Sequence, residues 1–476
     1  MSNLSQGWNV STLGEICSKP QYGWTSKAAH SGELRYVRTT DISNGKINWE
    51  KVPFCSKIPD DIKKYKIRKD DILVSRAGSV GVSYRIKRVP FDAVFASYLI
   101  RFKPTQNINP KYIEYYLKSD EYWKSISDFT AGIAIPNVNA SKLSQLKIPL
   151  APENEQCRIV AKLEKLLQKV DACTERLDKI PTILKRFRQS VLAAACSGRL
   201  TADWREKNPE TEPGAGMLSR IKDKGIIGDT ANSYDLYELP KNWSWLRIID
   251  IGDVKGGKRL PKGEKLVRIN TGFPYIKAGF LKEGTVVTDN LEYLTPEVRE
   301  KIKRYTVTDG DVYITIVGAC IGDAGVIPKK LDGANLTENA AKICNTEGVN
   351  NHYLANWLRS TVCQDFIKRT ILSAAQGKLA LGRIKMLPVP IPPPNEQQEI
   401  VRRIEALFKI TDQIEDRYKK ARTYVDKLSQ SILSKAFRGE LVPQDPNDEP
   451  ASELLKRIKA GLTINKAKKK TGRMAK

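Results

Sequence analysis

The stretch QSVLAAACSGRL at Gln189–Leu200 returns as QSILSKAFRGEL at Gln430–Leu441, 241 positions further on. A single echo means little, but one displacement kept by distant pieces means an internal duplication. It carries IPLAPENEQ (Ile148–Gln156) onto VPIPPPNEQ (Val389–Gln397), and NPKYIEYYLKS (Asn109–Ser119) onto NNHYLANWLRS (Asn350–Ser360). Upstream, DDILVSRAGSVG (Asp70–Gly81) meets GDVYITIVGACIG (Gly310–Gly322), and RYVR (Arg35–Arg38) meets PYIK (Pro274–Lys277), with the small drift that loop insertions give. After each helical segment EPGAGMLSRIKD (Glu212–Asp223) is echoed by EPASELLKRIKA (Glu449–Ala460).

Each copy opens with short β-rich runs such as Ile72–Ser75, Tyr98–Phe102 and Tyr313–Ile316 between Gly and Pro turns, with a helix at YIEYYL, which reads as a mixed α/β globule. A proline-rich exit, PLAPEN or PIPPPN, leads into a different periodicity. Apolar residues then recur in steps of four and three: Ile159, Leu163, Leu166, Val170, Cys173, Leu177, Ile180, Leu184, Phe187 and Val191. The second copy repeats the seam from Ile400 to Ile432 and departs from it only at Thr411. That is a coiled-coil pattern, and each helix spans about 50 Å, too long for one small globule to cover. An ordinary amphipathic helix lying on its own domain would also give one stripe; two matched stripes make each helix the natural partner of the other. Asn154 and Asn395 are expected as N-caps, Gly198 and Gly439 as C-terminal stops, and Pro181 as a kink where the second helix has Arg422.

The expected architecture is thus two α/β domains separated by two long antiparallel coiled-coil helices, related by pseudo-twofold symmetry. Its boundaries read as a first globule over 1–152, a long helix over 153–200 and a linker over 201–239. A second globule over 240–393, a second long helix over 394–440 and a basic tail over 441–476 follow.

Lys and Arg number 80 against 54 Asp and Glu, a net charge of +26, which favours a polyanionic partner. Nine of those cations lie between Lys456 and Lys476 with no acid among them, and the stretch from Asn465 reads as a disordered extension that adds non-specific affinity. No run approaches the roughly 18 apolar residues of a membrane span, so a cytoplasmic protein without membrane contact is expected. Eight scattered cysteines without a CxxC pair, and only His30 and His352, argue against a metal site.

Catalytic signatures are missing as well. The chain has Pro392-Pro393-Pro394 but no Asn or Asp followed by Pro-Pro and an aromatic, the signature of exocyclic-amine methylation. GDVKGGK (Gly252–Lys258) approaches a phosphate-binding loop, but Arg259 stands where a hydroxyl residue would hold magnesium, and tight turns are the expected use of its glycines. Asp60, Asp61 and Lys63 are too crowded for a metal-dependent nuclease, and neither histidine has the context of a catalytic triad. No catalytic residue is expected.

With the duplication, the NEQ opening each helix (Asn154–Gln156, Asn395–Gln397), IPTILKRFRQSVL (Ile180–Leu192) and QSILSKAFRGEL, the chain resembles the specificity subunits of Type I restriction-modification enzymes over nearly its whole length. The resemblance implies two target-recognition domains, each reading half of a split site in double-stranded DNA. It also implies helices that space the domains and dock two adenine methyltransferase subunits, with restriction-translocase subunits joining that core. S-adenosylmethionine, ATP and Mg would belong to those partners, and no cofactor to this chain. A stand-alone split-site DNA-binding scaffold remains the alternative. DNA contacts need forked or hydroxyl side chains on polar, glycine-bearing loops. The candidates are Tyr22, Trp24, Lys27, Arg38, Thr40, Ser75, Arg76, Ser79, Asn137 and Asn139 in the first copy, and Lys258, Arg259, Lys277, Thr315, Lys378 and Arg383 in the second. Because the charge is spread beyond the tail, DNA affinity is expected to fall steeply and linearly in a plot of log affinity against log salt. Titrations between about 50 and 200 mM salt check this, and a flat response would remove the electrostatic basis.

Overall fold

A computed structural model describes residues 4–43, 45–132, 136–211, 236–282, 284–372 and 377–461. The chain divides into two compact units, Met1–Asp178 with Lys419–Lys476, and Lys179–Tyr418. A division by sequence order would give each globule its own helix. Instead, each unit combines one globule with the first part of one helical segment and the last part of the other. The helices are Glu153–Leu177 (α1), Ile180–Cys196 (α2) and Pro394–Phe437 (α3). At the expected kink the helix lapses for two residues only, Asp178 and Lys179, whose backbones stay in the right-handed helical region, and Pro181 stands in the first turn of α2, where its missing donor costs nothing. Arg422, its counterpart, leaves α3 unbroken over 44 residues.

In the first unit, Ile159, Val160, Leu163 and Val170 of α1 share a core with Ile432, Leu433, Ala436 and Phe437 of α3. Arg158 pairs with Asp448 and Asp178 with Arg422, so rising numbers on one strand of the pair meet falling numbers on the other. The second unit repeats the arrangement: Val191, Leu192 and Ala195 of α2 pack with Ile400, Val401 and Ile404 of α3. There Arg188 reaches Asp412 and Glu415, and Arg403 reaches Asp203. Both pairings are antiparallel. Thr411, the one polar residue of the seam, is buried; its hydroxyl donates to the Phe408 carbonyl and accepts from Arg188 Nε, which pins the register of that pair.

The globules are built alike. Each has a four-stranded sheet, in the first unit Gln21–Tyr22, Leu99–Phe102, Ile72–Ser75 and Ser83–Arg85 in that spatial order. In the second unit the order is Asp253–Gly256, Ala340–Cys344, Val312–Thr315 and Ala324–Val326. A separate ribbon joins the start of each globule to the strand that feeds the long helix, pairing Asn9–Thr12 with Lys147–Leu150, and Ser244–Arg247 with Pro388–Ile391. A helix braces each ribbon. Tyr112 and Tyr116 give their hydroxyl protons to the carbonyls of Pro149 and Lys147, and Tyr353 and the Trp357 indole do the same for Pro390 and Pro388.

The ends of the long helices differ in detail from expectation. Gly198 and Gly439 adopt the left-handed conformation of a helix stop. Asn154 and Asn395, however, lie inside the first turn, because α1 starts at Glu153 and α3 at Pro394. The buried neighbours in each NEQ do the anchoring instead. The expected linker is folded at its start, since Arg199–Thr201 and Ala202–Lys207 are helical; 212–235, including the Glu212–Asp223 echo, lie outside the described residues. The expected basic tail also begins folded. Residues 451–461 are helical and place Ala451, Leu454, Leu455 and Ile458 in the first core, whereas Asn465–Lys476 lie outside the described residues.

Phe437 closes this first core edge-on against Tyr112 and Tyr116, with ring centroids 5.2 and 5.1 Å away. Phe437→Ala is expected to cost about 3–5 kcal/mol. Thermal or chemical unfolding checks this, and a loss below about 1 kcal/mol would mean that α3 does not close the core.

Candidate nucleic-acid interface

The four-stranded sheet of the first unit ends its strands together, with Tyr22 opposite Ile100 and Ser75 opposite Leu99. Just past those ends the backbone is stitched laterally. The Arg76 amide donates to the Tyr98 carbonyl at 2.9 Å, the Val138 amide donates to Arg76 at 3.0 Å, and Ala77 bridges Asn137. Tyr22, Arg76, Tyr98 and Asn137 therefore share one rim. The Arg76 guanidinium lies 5.1 Å from the Tyr22 ring centroid, while the Tyr22 hydroxyl accepts from the Ala140 amide. Arg76 Nε is buried without a hydrogen-bond partner, and Tyr98 is 61% exposed. Tyr98 is not among the residues the sequence singles out; its only signal there is an aromatic residue at the head of a β-rich run.

The second unit repeats the main backbone bonds of this frame. Ile316 donates to the Asn339 carbonyl at 2.8 Å, and Leu379 donates to Ile316 at 3.1 Å. Gly23 donates to Leu99 and Trp24 to Phe95; Gly257 donates to Ala340 and Lys258 to Leu336. The Tyr36 hydroxyl reaches the Trp24 carbonyl at 2.8 Å, and that of Tyr275 reaches the Lys258 carbonyl at 2.9 Å. Burial pushes both phenols upward, which keeps them protonated as donors. The side chains mounted on the frame differ entirely. Tyr22 is replaced by Gly256, Trp24 by Lys258, Arg76 by Ile316, Tyr98 by Asn339 and Asn137 by Lys378.

Several candidates have other work. Ser75 and Thr315 end equivalent strands fully enclosed, at 0% and 1% exposure, and the Ser75 hydroxyl is held by the Ala77 carbonyl; neither can touch DNA without unfolding its strand. Trp24 gives its indole proton to the Lys57 carbonyl and leans on Tyr65 at 5.3 Å. Arg38 is clamped to Asp41, Lys277 to Glu292 and Arg259 to Glu338, while Arg383 donates to the Thr370 carbonyl. Asn139 caps the helix Ala140–Ser144 with its side-chain oxygen. Lys27, Thr40, Ser79, Asn137 and Lys378 are exposed, as is Lys258, whose ammonium sits 5.5 Å from the Tyr305 ring. GDVKGGK is a strand, Asp253–Gly256, followed by a close approach rather than a tight turn, and no helix follows to cradle a phosphate. Among the described residues no cluster of three His, Cys, Asp or Glu is placed to hold a metal, and no helix is long and apolar enough to cross a membrane.

The comparisons also find the duplication. The sequence model of the Type I restriction modification DNA specificity domain matches twice, over residues 5–182 and 240–421. The chain belongs to that family. It is 31% identical to the Type I restriction enzyme StySPI specificity subunit of Salmonella potsdam, over 93% of this chain and 91% of the relative. It is 29% identical to the EcoKI specificity subunit of Escherichia coli strain K12, over 98% of both chains. Among solved structures, a chain from a type I restriction-modification system described for its complex assembly and conformational transition superposes with a TM-score of 0.68 at 18% identity, covering 92% of this chain and 100% of that one. The HsdS subunit of Thermoanaerobacter tengcongensis superposes at 0.55, also at 18% identity, covering 92% and 98%; at such identities the likeness speaks for the fold. As a Type I specificity subunit the chain confers DNA sequence specificity and is not itself the enzyme.

Gly23 and Gly257 hold the frame by close approach: a Cβ there would lie 2.1 Å from the Ala96 carbonyl oxygen and 2.0 Å from that of Thr337. Gly23→Ala and Gly257→Ala are each expected to displace the rim of their own unit and lower specific DNA affinity about tenfold or more, which titration with a cognate duplex measures. Unchanged affinity in both would separate the rim from DNA reading.

Proposed function

We propose that the chain recognises a bipartite site in duplex DNA, each unit reading one half-site with the rim of its four-stranded sheet. The observation that carries this is one backbone frame built twice and decorated differently, which suits two readers of unlike sequences. In the first reader Tyr22, Arg76, Tyr98 and Asn137 are the contact set, with Lys27, Thr40 and Ser79 on exposed flanking loops. In the second, Lys258, Asn339 and Lys378 take that place, and Arg259 becomes available once Glu338 is exchanged for a phosphate. Arg38, Asn139, Lys277 and Arg383 support the loops more than they read bases.

The long helices set the spacing of the half-sites and dock two adenine methyltransferase subunits, with restriction-translocase subunits joining them; S-adenosylmethionine, ATP and Mg are theirs. In support of docking, the second unit leaves Ile183, Phe187, Ile410 and Ile414 between 40% and 58% exposed on α2 and α3, apolar area that a folded chain normally covers. The complex works in the cytoplasm, where host DNA is available. Reconstitution with the methyltransferase subunit and mapping of methylated adenines tests the reading. Arg76→Ala is expected to cost about 1–3 kcal/mol and to relax one half-site while the other is methylated as before. Equal loss at both half-sites would refute the assignment of one reader to each, and a chain that binds no methyltransferase subunit would favour a stand-alone scaffold.

A further inference from the structure

The buried carboxylates that open α1 and α3 occupy equivalent places and are satisfied differently. Glu396 receives the Trp243 indole on Oε2 at 2.8 Å, and the Thr201 hydroxyl at 2.6 Å together with the Arg205 guanidinium on Oε1. Glu155 receives the Trp8 indole on Oε2 at 2.9 Å, but its Oε1 has no hydrogen-bond partner, although the residue is only 1% exposed. The cause lies in the sequence: the displacement of 241 carries Thr201 onto Val442 and Arg205 onto Pro446, and neither side chain can donate. An unpaired buried carboxylate oxygen is costly, and burial holds the Glu155 carboxyl above its usual range.

Beside Glu155 a cavity of about 390 Å³ opens in the first unit, walled by Gln6, Pro152, Gln444, Asp445, Pro446 and Asp448. We propose that this cavity is a guanidinium site, filled by an arginine side chain that a partner subunit presents to Glu155. The second copy supplies the chemistry, since Arg205 meets the same carboxylate there and lies 5.8 Å from the Trp243 ring, the counterpart of Trp8. The wall supplies the sign: Asp448 and the nearby cation Arg158 cancel as an ion pair, which leaves Asp445 with Glu155, so a cation is drawn in and a nucleic-acid phosphate repelled. The partner's identity as the methyltransferase subunit rests on the docking reading above.

Methylguanidinium titrated into the full chain at constant ionic strength, against methylammonium, tests the site with no partner present. A saturable rise in melting temperature and a saturable change in Trp8 fluorescence, taken as wild type minus Trp8→Phe, are expected. Both should shrink about fivefold or more in Glu155→Gln, and likewise in Pro446→Arg, which offers a guanidinium from the cavity wall. An absent response, or one that both variants keep, overturns the proposal. In the second arm Glu155→Gln is expected to weaken binding of the methyltransferase subunit about tenfold, and unchanged binding overturns the partner's arginine. A wild-type chain that binds no methyltransferase subunit would count against the docking reading, with the first arm still deciding the guanidinium site.

Discussion

Each long helix begins by burying a glutamine beside a glutamate, and that anchorage is what the rest of the molecule hangs from. Gln156 accepts from the Asn109 amide through Oε1 and donates to the Ala151 carbonyl through Nε2. Gln397 repeats this with Asn350 and Pro392. Asn109 and Asn350 in turn cap the helices whose Tyr112 and Tyr353 hydroxyls brace the ribbon strand feeding α1 or α3. Helix, cap and ribbon are thus locked by groups that have left water and can be satisfied in one geometry only. A helix this long needs such a root, because play at its base would be magnified along its length.

The division between frame and decoration follows from which groups carry the structure. In both rims the lateral bonds run mainly between backbone amides and carbonyls, closed by the Tyr36 and Tyr275 hydroxyls, so the rim side chains other than Tyr22 contribute little to holding the fold. Arg76 can stand where the other copy has Ile316, and Tyr98 where it has Asn339, without disturbing a sheet. Rim side chains are then free to change while stability is kept by buried residues elsewhere.

Much of this is written in the sequence at the level of pattern. The displacement of 241 announces two copies, and the seam from Ile159 to Val191 announces the paired helices, because both rest on spacing, which survives without coordinates; yet Cys173 and Phe187 of that seam, and Ile414 of its repeat, stay exposed. Function at single residues is harder to read. Ser75 and Thr315 look like loop hydroxyls, yet each ends a short, wholly buried strand, and period-2 reasoning does not apply where both faces are covered. Asn154 and Asn395 look like caps because asparagine favours that position; the buried Glu and Gln beside them are chosen by contacts 47 residues or more away. Tyr98 is hard to read for the opposite reason, since an exposed aromatic on a rim has no periodic signature. The tail misled because the cations from Lys456 onward mask the apolar face of 451–461.

The way the helical segments are shared has a consequence for shorter polypeptides. A product containing a single copy would carry one helix beginning, rooted in its own globule, and one helix end whose receptor lies in the missing copy. Neither half of that helix could close its apolar stripe alone. Two identical products would each supply what the other lacks, as α1 and α2 do for the two ends of α3, giving a homodimer in place of a fused pair. Both globules would then be identical, whereas the fused chain carries two that differ.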